Sequence, residues 1–240
     1  MNESASTEKV VPYALLGMTV VTGLVDAVSF LSLGHVFTAN MTGNIVFLAF
    51  ATAHVSGLSI ARSSTALLAF LLGAILGGRV MARASADSQI RFAAQAFLLE
   101  MAFLFAASIF GIGYRGDLLE HSFQPFALIA LTALAMGTRN AAVRKLAIPD
   151  LTTTVLTLTI TGIGADSSLA NGNNPRVARR VAAVAAMFLG AALGAVVIHY
   201  SISADLWLAT AISAVCSAGL VRVADHADSR DIKSSESRDA

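Results

Sequence analysis

The chain has 240 residues, of which 56% are hydrophobic and 13% charged, and a mean hydropathy of +0.72, too apolar for a soluble domain of this length. A net charge of +1 gives no footprint for nucleic acid, and a single cysteine, Cys216, excludes an intramolecular disulfide and any cysteine-cluster metal site. What remains is an all-α, polytopic membrane protein whose first partner is the lipid bilayer.

In chain order, a polar N-terminal tail (1–10) leads into an apolar stretch over 11–33 that is longer than a signal-peptide core and carries Asp26, which makes it a retained helix. Further apolar stretches over about 63–84, 93–114, 123–143, 178–200 and 203–223 are each long enough for a ~30 Å hydrocarbon core, which takes ~20 helical residues. Between them lie two shorter segments, 41–57 and 151–164, the second short for a full crossing. A tail over 225–240, rich in Asp, Ser, Arg and Lys, has the composition of a disordered segment.

The chain reads as one module written twice, 11–115 and 123–224. Pro12, Ala14, Leu15 and Thr19 return as Pro125, Ala127, Leu128 and Thr132. Gly23, Asp26 and Ala27 face Gly137, Asn140 and Ala141, and the Gly73/Gly77 pair returns as Gly190/Gly194. If the two short segments enter and return on one side, six spans remain, with Arg62 and Arg115 alone on one face and the other 14 of the 16 basic residues opposite. Eight full spans, the alternative, divide the same residues 10 to 6, so the positive-inside rule favours six, with both termini cytoplasmic in the inner (plasma) membrane. Three crossings per half then make the repeat an inverted one, a layout associated with secondary transporters.

Chemistry-bearing residues cluster at matching places in the halves. Asp26 lies deep in the first span, where an ionised carboxylate is costly unless paired or hydrated, and its repeat mate Asn140 is a neutral near-isostere. One titratable and one fixed polar copy suit a proton or cation site; a structural hydrogen bond between helices satisfies the same cost. Glu100, about two turns inside the 93–114 stretch, is a second carboxylate of the same kind. Asn40, Thr42 and Asn44 open the first short segment. Pro149, Asp150 and the threonines Thr153 and Thr157 open the second. Both read as helix starts inside the membrane, whose free N–H groups and hydroxyls suit a polar ligand or satisfy a backbone break. In an inverted repeat these two breaks are expected to meet near the midplane. Arg139 reads as an interface anchor, or as a partner for Asp150 or an anion. The glycine pairs read as close helix packing, compatible also with a homodimer. The histidines show no metal-ligand spacing, and no phosphate loop, nucleophile elbow or HExxH pattern appears, so the sequence offers no catalytic residue, metal site or cofactor.

Two patterns, Asp26-Ala27, Gly34, Phe37, Thr42-Gly43-Asn44 and then Gly137, Asn140-Ala141, Pro149-Asp150, Thr153, Thr157, give the chain a resemblance along nearly its whole length. It is similar to the YoaK-type bacterial membrane proteins, a family of unknown function. The resemblance implies a small integral protein of the bacterial inner membrane and no particular substrate. From the residues, the leading expectation is a small transporter or permease with a polar site for an unknown solute or ion between the halves. A membrane enzyme or lipid-handling protein using an intramembrane carboxylate, and a structural or regulatory membrane protein, stay open beside it.

Overall fold

The structure, a computed structural model, describes residues 4–85, 88–116, 123–148 and 156–236, with side-chain surroundings from Val10 to Asp225. Eight α-helices occupy them: α1 (Ser4–Ser32), α2 (Met41–Thr52), α3 (Ile60–Met81), α4 (Gln89–Phe110), α5 (Phe123–Leu146), α6 (Leu156–Ala165), α7 (Val177–Ile198) and α8 (Ile202–Glu236). Six are long and apolar enough to cross a bilayer, while α2 and α6, with 12 and 10 residues, fall well short of the ~20 a crossing needs. The outermost spans are helical beyond their apolar cores. In particular, α8 runs to Glu236 through the segment whose composition reads as disordered, because extending an existing helix by polar residues costs far less than starting one. Residues 237–240 lie outside the described residues.

Four helices form the interior. Going round it, α1 packs on α8, α8 on α4, α4 on α5, and α5 returns to α1 in a narrow contact. On the outside, α3 lies on α5 and α7 on α1, while α2 attaches to α3 and α6 to α7. The apolar side chains that α3 and α7 turn outward, among them Leu68, Leu71, Leu72, Phe188, Leu189 and Val196, suit contact with lipid rather than water. Inside, Leu15, Met18, Phe97 and Leu104 are fully buried.

The outer helices approach the inner ones through glycine. A Cβ on Gly137 would collide with the Phe70 carbonyl oxygen of α3, and one on Gly73 with that of Leu134 in α5. On the other side, Gly23 meets Met187 and Ala191 of α7, and Gly190 meets Val20 of α1. The glycine pairs are therefore used inside the chain, bringing backbones together where larger residues would hold them apart.

After Ser32 the chain turns back along α1. Residues 33–40 are irregular and carry the N–H groups of Thr38 and Ala39 down to the Asp26 carboxylate, six residues or ~9 Å of helix below the end of α1. Helix α2 then climbs again, since Ala51 near its C-terminus lines the same cavity as His35 and the first turn of α3. This is a hairpin that enters and returns, its irregular backbone shielded by protein.

Candidate functional site

The centre of the molecule is built around a charged side chain in an apolar span. Arg139, in α5, is fully buried, and its long side chain reaches across to α1 and α4. Nη1 donates to the Met18 carbonyl oxygen at 2.7 Å and lies 3.2 Å from Oε1 of Glu100, itself fully buried in α4. Nη2 donates to the Thr22 hydroxyl at 2.7 Å and touches the Met136 sulfur. An interior Arg–Glu pair offsets the desolvation of two charges by mutual attraction and hydrogen bonding, and removing either partner strands the other. The geometry is one-pronged. The Glu100 oxygens and the Arg139 Nε have no hydrogen-bond partner beyond the ion pair, so the carboxylate keeps acceptor capacity free.

Asp26 lies on α1 one helical turn beyond Thr22, the residue that Arg139 bonds. Its Oδ1 accepts the N–H groups of Thr38 at 3.2 Å and Ala39 at 3.0 Å, just ahead of α2. A carboxylate there meets unpaired backbone donors and the positive end of the α2 dipole. Asn44, also buried, ties the hairpin from the other side: its Oδ1 accepts the Phe37 N–H at 2.9 Å and its amide donates back to the Phe37 carbonyl. The Phe37 ring stacks on those of Phe30 and Phe47 over this closure, with centroids 5.1 and 5.7 Å apart.

The residues singled out from the sequence separate into two groups. Asp26, Glu100 and Asn44 are buried in or beside this network. Asn40 flanks α2 as its N-cap but is exposed and makes no side-chain cap bond, and Thr42 is exposed. Asn140 donates to the Met136 carbonyl of its own helix, and Thr157 is exposed on α6. Pro149, Asp150 and Thr153 lie outside the described residues. The expected meeting of the two short segments does not occur among the described residues: α2 is held by α3 and α6 by α7, at opposite ends of the helix arrangement with the inner helices between them. Each short helix follows the outer helix it is joined to, and the space between is filled by packed core.

Two residues matter more than sequence reasoning allowed. Arg139 is no interface anchor, because it lies two turns before the end of α5 and points inward. Its signal was a lone cation and a lone carboxylate, Glu100, in separate apolar stretches, which favours a pair. Asp205, in the first turn of α8, is also fully buried, with both carboxylate oxygens lacking a hydrogen-bond partner beside Gly194. Its place four residues into a helix reads as interfacial in the sequence. Among the described residues no three His, Cys, Asp or Glu side chains converge as a metal site would require.

No solved structure matches the chain. A relative, the UPF0700 transmembrane protein YoaK of Bacillus subtilis (strain 168), is 36% identical over 146 residues, covering 61% of this chain and 62% of that protein's length. The family model for proteins of unknown function DUF1275 matches residues 14–219, most of the length and all six spans at least in part. The chain belongs to the DUF1275 family.

Proposed function

We propose that the chain is a small secondary transporter or permease of the bacterial inner membrane, built as an inverted repeat. The carrying observation is the fully buried Glu100–Arg139 pair in the four-helix interior, with Asp26 beside it on α1. A carboxylate paired with the guanidinium and keeping unused acceptor capacity, with a second carboxylate one helical turn beyond Thr22, forms a centre where a proton or small cation can be taken up and released with little change in the surrounding packing. Support for the repeat comes from helix neighbours: α1 with α7 corresponds to α5 with α3, and α8 with α1 to α4 with α5. Such a pseudo-symmetric pair of halves is the arrangement that allows one half to rock against the other.

A structural reading has one observation of its own in its favour. Asp26 satisfies the backbone N–H groups of Thr38 and Ala39, a job that requires no solute. The two readings part in proteoliposomes loaded with a pH-sensitive dye and challenged with a panel of solutes and ion gradients. Transport predicts a solute- or cation-dependent proton or ion flux in the wild type that is lost in Glu100→Gln. A folded wild-type protein that moves nothing across the panel sinks it.

A further inference from the structure

Where α1 ends, α2 returns and α3 begins lies a cavity of about 610 Å³, lined among others by His35, Ala51, Ser59, Ala61, Arg62 and Phe126. Arg62 stands in the first turn of α3 with its guanidinium across the backbone of Gly34, whose φ of +91° suits glycine and where a Cβ would strike the arginine. The Arg62 Nε is buried and has no hydrogen-bond partner. From Ala27 to Ala86 the sequence holds no Asp or Glu, and no carboxylate pairs with Arg62 among the described residues.

The first turn of α7 solves the same problem differently. There Arg180 is met by the Asp166 carboxylate at 2.8 Å and also donates to the Gly162 carbonyl. A partly buried guanidinium at a helix start in a membrane protein is costly without a counter-charge, and among the described residues one stands at α7 and none at α3. The α3 cavity carries donors in addition to Arg62. Ser59 caps the helix by accepting the Arg62 N–H, while the N–H groups of Ile60 and Ala61, both at the cavity wall, have no partner within the helix. They add the positive end of the α3 dipole to the arginine charge, and His35 offers a ring nitrogen at the rim.

We propose that this cavity is an anion-binding site for a molecule bearing a carboxylate or phosphate group, with Arg62 as its charge partner, the first amides of α3 as donors and Phe126 as an apolar wall. The volume is that of a metabolite-sized pocket, larger than a bare ion requires. The site is separate from the Glu100–Arg139 centre and stands whether or not that centre transports anything.

The test uses the full chain, purified in detergent and in nanodiscs, with three probes: inorganic phosphate, succinate, and phosphatidylglycerol against phosphatidylcholine. Thermal shift and calorimetry are expected to show salt-sensitive binding of at least one anionic probe, weakened tenfold or more by Arg62→Gln and by Ala61→Phe and partly kept by Arg62→Lys. Ala61 is exposed, so Ala61→Phe fills the cavity without removing the charge and decides the matter even if Arg62→Gln does not fold. Thr157→Ala, exposed on α6 and away from both sites, should bind as the wild type does. Binding of phosphatidylglycerol alone makes the ligand a lipid headgroup, and binding of phosphate or succinate alone makes it a free anion; either supports the site. Equal binding by the wild type and both blocking variants, or no binding of any anionic probe, overturns it.

Discussion

Where α1 crosses α7, Gly23 faces Met187 and Ala191, and Gly190 faces Val20; where α5 crosses α3, Gly137 faces Phe70 and Ala74, and Gly73 faces Leu134. Adding 114 to the α1 positions and 117 to the α3 positions converts one set of contacts into the other (23 to 137, 20 to 134; 70 to 187, 74 to 191, 73 to 190). The side chains two and three residues beyond these glycines do not correspond in the same way. Val25 and Asp26 stand in α1 where Arg139 and Asn140 stand in α5. The backbone crossing admits glycine alone at its tightest points, because the obstacle is a carbonyl on the neighbouring helix. The next turn faces the interior, where any polar group is tolerated provided another meets it. Scaffold and chemistry are thus carried by adjacent residues under different constraints, and each can be altered without the other.

The harshest way to break this comparison is to alter the scaffold. Gly137→Leu and Gly23→Leu should behave alike although their neighbours differ, each preventing accumulation of folded protein. The expected cost is well above the ~1–3 kcal/mol of ordinary overpacking, since a carbonyl oxygen cannot change rotamer to make room. Yield after mild detergent extraction and the Tm of what survives measure it. A Gly137→Leu protein as stable as the wild type would show that α3 and α5 do not cross where the structure places them.

Next in size comes the chemistry. Arg139→Leu leaves Glu100 buried without its partner and should lose about 3–5 kcal/mol, whereas the double variant Arg139→Leu/Glu100→Leu should regain most of it. Val25→Leu, at the matching and fully buried place in α1, should cost no more than the ~1–3 kcal/mol of ordinary overpacking, because no ion pair depends on it. The readout is a double-mutant cycle of unfolding free energies. Additivity of the two single losses would mean that the pair contributes nothing as a pair.

How much of this was legible in the sequence follows from the range of each interaction. The six spans and the glycine pairs depend on local composition and spacing, and they are plain in the chain. Asp26 and Glu100 stand out because a carboxylate in an apolar stretch calls for a partner. The partners themselves were hidden. Thr38 and Ala39 reach Asp26 only because the chain doubles back after Ser32, and Arg139 reaches Glu100 only because α4 and α5 lie side by side. Basic residues also follow Arg139 closely, Arg144 and Lys145 among them, and that neighbourhood resembles an ordinary interface. The separation of α2 from α6 was out of reach for the same reason, since a repeat specifies equivalence without saying that equivalent parts touch.

A gentler change turns the first half toward the second. Asp26→Asn places there the residue that α5 carries at position 140. Its amide oxygen can still accept the Thr38 and Ala39 N–H groups, but bonds to a neutral acceptor are weaker than bonds to a charged one, so the variant should fold with a loss of about 1–2 kcal/mol. Under the proposed transport mechanism it should also lose ion dependence, a readout that a purely structural Asp26 would leave unmoved. Thermal unfolding and proteoliposome flux, measured on one preparation, separate the two. Unfolding on the scale of Arg139→Leu would mark Asp26 as a structural anchor first.

The smallest expected effect concerns the two short helices. Thr42 and Thr157 sit at corresponding places near the starts of α2 and α6, and a shared polar site between the halves would need both. Each is exposed, and the two helices lie against different outer helices. Thr42→Ala and Thr157→Ala should therefore change stability by less than about 0.5 kcal/mol and leave any flux as it is in the wild type. Replacing Asn44, three residues into the hairpin helix and bonded to Phe37 on both sides, should cost clearly more, because its loss strands a part-buried N–H and carbonyl. The contrast tests where the polar site is. A flux that falls with Thr157→Ala while stability holds would place α6 at the solute path and require the halves to move so that it reaches the interior. No change in either threonine variant leaves the Glu100–Arg139 centre, with Asp26, as the place where the proposed transport is to be sought.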